Sequence, residues 1–76
     1  MDEINEMEQI RRLALETTND YEKFRAINKL AAYGKPAIIA IAEIGNSSSR
    51  NNLRLHALET ILKIKEGTTK IEKSYA

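Results

Sequence analysis

The chain has 76 residues, enough for one domain, and no cysteine, which excludes a disulfide framework and any thiolate metal site. Its net charge of +1 gives no overall pull toward a polyanion, and its single histidine, His56, excludes a histidine cluster. An acidic N-terminus with no basic-then-apolar leader predicts no secretory signal, and Ala37 to Ala42, the longest strongly apolar run, falls far short of the roughly 20 residues a transmembrane helix needs.

Charge is unevenly spread. Residues 1–22 carry seven acids against two arginines, and residues 23–76 carry ten Lys and Arg against four Glu. The two halves can pair within the fold or head to tail between chains. The simpler reading is that early acids suit the positive end of a first helix and the rest keep the chain solvated. No EF-hand spacing is present, and neither a metal nor a cofactor is expected.

Four helices are predicted in chain order. The first spans about Asp2 to Thr17, with Ile4, Met7, Ile10 or Arg11, Leu13 and Ala14 on one stripe at spacings of three and four. Thr17-Thr18-Asn19 breaks it, and Asn19 or Asp20 is placed to cap the next helix. The second helix spans about Tyr21 to Tyr33, with Phe24, Ile27, Leu30 and Ala31 as its core face. Gly34 then stops it by taking a positive φ at little steric cost, and Pro36 suits a helix start because its missing N–H is not needed there.

The third helix, about Pro36 to Ile44, is apolar nearly all round, so both of its sides should be covered. Gly45-Asn46-Ser47-Ser48-Ser49 reads as a loop, with Ser49, Asn51 and Asn52 as candidate caps for a fourth helix from about Asn51 to Lys65. There Leu55, Leu58, Ile61 and Leu62 are expected on the core side, widened by Leu53, Ala57 and Ile64. Residues 1–66 form the predicted helical domain. Residues 67–76 form a polar tail with two apolar anchors, Ile71 and Tyr75.

A shift of 31 residues lays the chain on itself. Lys23 falls on Arg54, Phe24 on Leu55, Ala26 on Ala57, Ile27 on Leu58, Leu30 on Ile61, Ala31 on Leu62 and Tyr33 on Ile64. Upstream, Met7 falls on Ile38, Ile10 on Ile41 and Leu13 on Ile44. The shift divides the helices into two pairs, and a pair stacked on the next needs only a tight turn between them.

These spacings carry a resemblance. Leu53-Arg54-x-x-Ala57-x-x-x-Ile61-x-x-Ile64 resembles the second helix of a HEAT repeat, of the short type found in phycobilisome-lyase-like proteins. Lys23-x-x-Ala26-x-x-x-Leu30-x-x-Tyr33-Gly34 is similar, and Pro36-x-Ile38-x-x-Ile41-x-x-Ile44 resembles a first helix. The resemblance covers roughly residues 4–66. Lys23 stands in place of the usual Arg, Lys65 where Gly is common, and Glu22 at a usually apolar position. It implies an all-α fold of four helices, two stacked HEAT-like antiparallel hairpins forming a short α-solenoid. A plain four-helix bundle meets the same loop lengths.

The resemblance also implies a binding strip on the second helix of each pair. By register this places Arg25, Asn28, Lys29 and Ala32 beside His56, Glu59, Thr60 and Lys63, with Arg25 next to His56, Asn28 next to Glu59 and Lys29 next to Thr60. Lys23 and Arg54 take a structural role in this reading, pairing with Asp20 and Asn51. No Ser, Cys or Asp spacing around His56 suggests a triad, so no catalytic residue is expected. The expected function is a non-catalytic, cytoplasmic protein-interaction or scaffolding module, in which either a homo-oligomer forms through an open end of the stack or the tail of a monomer folds over that end. The alternative is a nucleic-acid accessory protein using Arg50, Arg54, Lys63, Lys65, Lys70 and Lys73, although no aromatic platform interleaves those charges.

Overall fold

A computed structural model describes residues 2–67, with side chains from Asn5 onward. Four α-helices account for most of them: α1, Asp2–Glu16; α2, Asp20–Ala31; α3, Ile38–Asn46; and α4, Asn51–Glu66. The fold is all-α. The tail anchors Ile71 and Tyr75 lie outside the described residues.

The joints obey local chemistry. Asn19 is the cap of α2, its side-chain oxygen accepting from the N–H groups of Tyr21 at 2.8 Å and Glu22 at 3.4 Å. At the far end of α2, Gly34 takes φ +78°, and a single 3₁₀ turn, Lys35–Ala37, leads from it into α3. Pro36 sits in that turn, where no N–H is missed. The cap of α4 differs from expectation. None of Ser49, Asn51 and Asn52 fills it; Arg50 occupies the position without a side-chain bond, and its N–H donates to Ser48 Oγ at 3.1 Å.

α2 and α3 lie between the outer helices, each packing against both α1 and α4 and against one another. The core is Ala14, Ala26, Ile27, Leu30, Ala37, Ile41, Ile44, Leu53 and Ala57, with Met7, Ile10, Phe24, Ile61 and Ile64 half-buried against it. Each of its fully buried Ile and Leu side chains contributes about 2 kcal/mol of apolar burial. Leu13, expected on the stripe of α1, is instead 66% exposed.

α4 departs most from its expected face. Leu53 and Ala57 are buried and Ile61 and Ile64 half-buried, while Leu55, Leu58 and Leu62 stand 55%, 52% and 46% exposed. The cause lies in α3. The sequence pattern opens the loop at Gly45, but α3 runs through it to Asn46, and a Cβ on Gly45 would sit 2.5 Å from Ala57 Cβ. The glycine lets α4 approach α3 on its Ala57 side, which turns the three leucines outward.

Among the described residues, Lys23 is the buried charge of the interior. It lies on the same face of α2 as Ile27 and Leu30. Its ammonium donates to the Ala14 carbonyl at 2.7 Å and to Ser47 Oγ at 2.9 Å, so it ties the end of α1 to the loop after α3. Its structural role stands as expected, with different partners. Asp20 instead takes Arg50 at 2.8 Å and the Ser48 hydroxyl at 3.2 Å. Arg54, which falls on Lys23 in the 31-residue shift, is exposed.

Candidate interaction surface on the second and fourth helices

The strip forms where α2 and α4 run beside each other. Ile27 and Leu30 point into the core, which leaves Phe24 and Asn28 toward α4 and Arg25, Lys29 and Ala32 exposed. On α4, burial of Leu53 and Ala57 brings His56 and Thr60 to the α2 side and leaves Glu59 and Lys63 exposed.

The two helices meet at a defined contact. His56 Nε2 and Asn28 Oδ1 lie 2.8 Å apart. The contact joins an imidazole nitrogen to a side-chain amide across the two helices. The imidazole also lies against the Phe24 ring, 4.9 Å between centroids and tilted by 37°. Asn28 therefore meets His56, one turn away from the expected neighbours Arg25 with His56 and Asn28 with Glu59. The 31-residue shift sets which residues correspond; the axial offset between helices is set by packing, here by Phe24 under the imidazole.

The remaining strip residues divide by what their polar groups do. The Arg25 guanidinium stands 5.9 Å from the centre of the Tyr21 ring. The Thr60 hydroxyl donates to the His56 carbonyl at 2.8 Å, a bond within its own helix. Lys29, Glu59 and Lys63 project as exposed charges. The result is a ridge with an aromatic and amide centre, cations on the α2 flank, and both signs on the α4 flank.

Beside the ridge lies a feature that the sequence pattern did not indicate. A shallow depression of about 260 Å³ separates α1 from α2, with Ile10, Leu13, Ala14 and Ala26 as its apolar lining and Thr17, Glu22, Arg25 and Lys29 as its polar lining. Arg25 and Lys29 thus border both surfaces. The available signal was Leu13, a large apolar residue at the margin of the α1 stripe.

The basic series is dispersed. Arg50 is held by Asp20, Arg54, Lys63 and Lys65 are exposed on α4, and Lys70 and Lys73 lie outside the described residues. Among the described residues, no group of three or more His, Asp or Glu side chains is placed to hold a metal ion, and no helix is long and apolar enough to cross a membrane. Comparison of the chain with protein-family models, with curated proteins and with solved structures finds no match.

Proposed function

We propose that this chain is a small, non-catalytic protein-interaction or scaffolding module that binds a protein partner through Arg25, Asn28, Lys29, His56, Glu59, Thr60 and Lys63. The observation that carries the reading is the Asn28–His56 contact over Phe24. It joins the two helices side by side, with charged groups exposed on both flanks, the arrangement a preorganised binding surface needs. The proposal includes the architecture of two stacked HEAT-like hairpins. Its support is in the sequence, in the 31-residue correspondence and the Gly34-Lys35-Pro36 spacing. It also includes a cytosolic setting, which a cysteine-free chain suits, and self-association through the open side of α4.

The test compares capture by the wild-type chain with capture by an Arg25→Glu, Glu59→Lys double variant, with and without nuclease, after circular dichroism shows equal helix content. The expected result is a protein that survives nuclease treatment and is lost at least about tenfold by the variant, the scale of two contacts of about 1 kcal/mol each. Capture that vanishes with nuclease, or that ignores both substitutions, overturns the reading. Nuclease-sensitive capture with a steep salt dependence would move the activity to the exposed cations of α4.

A further inference from the structure

The outer face of α4 carries Leu55, Leu58 and Leu62 at spacings of three and four, each about half exposed. By the 31-residue shift these are the counterparts of Phe24, Ile27 and Ala31, which are buried or half-buried on α2. Residues of that kind in that pattern form the seam of a helix pair. Two charges border the seam on opposite sides: Arg54, just before Leu55, and Glu59, just after Leu58. Both are exposed, and neither has an ion-pair partner among the described residues.

We propose that this face binds a second copy of the same chain, with the two α4 helices parallel about a two-fold axis and their leucine rows in register. This rests on the self-association part of the proposed function and shares only Glu59 with the α2–α4 strip. The Arg54 and Glu59 flanks favour the parallel orientation, while Lys65, the next seam position, faces its own copy there and weakens the pair. In a parallel pair the residue before the first seam position faces the residue five further along on the other helix. Arg54 then meets Glu59 of the partner subunit, and symmetry repeats the pair. In an antiparallel arrangement each flank meets its own kind, which sets the Glu59 and Glu66 edge against itself. Three half-exposed leucines make a seam smaller than the roughly 800 Å² per partner of a stable interface. The dimer is accordingly a weak one, half-formed at about 100 µM and dissociating on dilution.

Sedimentation velocity on the purified full chain over a wide concentration range tests this. Wild type should shift from monomer to dimer as concentration rises, and Leu58→Glu should remain monomeric with unchanged helix content. Arg54→Glu alone should raise the dissociation constant about tenfold, since it turns two attractions into two repulsions of surface-pair size. Adding Glu59→Arg to it should bring the constant back to within about threefold of wild type. A wild-type chain that stays monomeric throughout overturns both the parallel pair and self-association. A dimer that survives Leu58→Glu, or whose charge reversal is not rescued by the second substitution, overturns the parallel α4 pairing and leaves self-association to another face.

Discussion

Lys23 shows most clearly how much one residue can tie together in this fold. A cation almost wholly removed from water is tolerated because its donors have acceptors: the Ala14 carbonyl at 2.7 Å and Ser47 Oγ at 2.9 Å. Ser47 is itself held, donating to the Ile44 carbonyl at 2.7 Å. One side chain therefore spans α1, α2 and the loop after α3. Lys23→Ala removes both charge-assisted bonds and strands the Ala14 carbonyl, so it should lower unfolding stability by about 2–3 kcal/mol in urea titration. Lys29→Ala, one exposed position on the same helix, should change stability by less than about 0.5 kcal/mol. Equal effects would mean that the Lys23 bonds contribute nothing net. A structural role for Lys23 was implied by the resemblance of its helix to the second helix of a HEAT repeat. The partners of Lys23 were not legible, because they come from residues nine and 24 positions away.

At the scale of elements, Gly45 governs how α3 and α4 meet. Glycine within a helix costs about 1 kcal/mol relative to alanine, so Gly45→Ala taken alone should stabilise α3. The contact opposes this. The added Cβ would lie 2.5 Å from Ala57 Cβ, and neither atom is the free end of a flexible side chain, so the helices must separate. Overpacking of this kind costs about 1–3 kcal/mol. We expect Gly45→Ala to be destabilising by about 1 kcal/mol or more in thermal or urea unfolding; a more stable variant would show that the two helices can move apart freely. The sequence presents Gly45 as the first residue of a Gly-Asn-Ser-Ser-Ser loop, because a breaker beside polar residues is the local pattern of a helix end. Only the approach of another helix distinguishes that role from a place where a backbone needs room.

For the whole molecule, the division into inside and outside turns on α4. It contacts α2 and α3 with one side, and among the described residues nothing covers the other. Leucines on the same helix should therefore differ in cost. Leu53→Ala removes a fully buried side chain and should destabilise by about 2–4 kcal/mol. Leu58→Ala, measured at a concentration low enough to keep the chain monomeric, should cost less than about 1 kcal/mol, because its side chain is already half in water. Similar losses at both sites would mean that Leu58 is covered within the monomer. Polar ties reinforce the assembly elsewhere. Arg11 bridges α1 to Glu43 on α3, the Tyr33 hydroxyl donates to Glu6, and Asp20 at the start of α2 holds both Ser48 and Arg50. The hydrogen bond from Arg11 to Glu43 raises the guanidinium further above its ordinary range, as does the charge of the same carboxylate.

The sequence by itself determined the number of helices, their order and two of their joints. Those features are local: apolar spacing of three and four makes a helix, Asn19 satisfies the first free N–H groups of the next, and Gly34 followed by Pro36 ends one helix and admits another within a few residues. Tertiary structure alone decided which side of α4 is buried. Seven of its 16 residues are apolar, at 53, 55, 57, 58, 61, 62 and 64, and they cover more of the helix than one interface can bury. Periodicity ranks both sides as core. The choice fell to the Ala57 side because Gly45 on α3 has no side chain to keep it away, and that contact joins residues 12 apart in sequence on two different helices. The same choice brought His56 against Asn28 and turned Leu55, Leu58 and Leu62 to the outside.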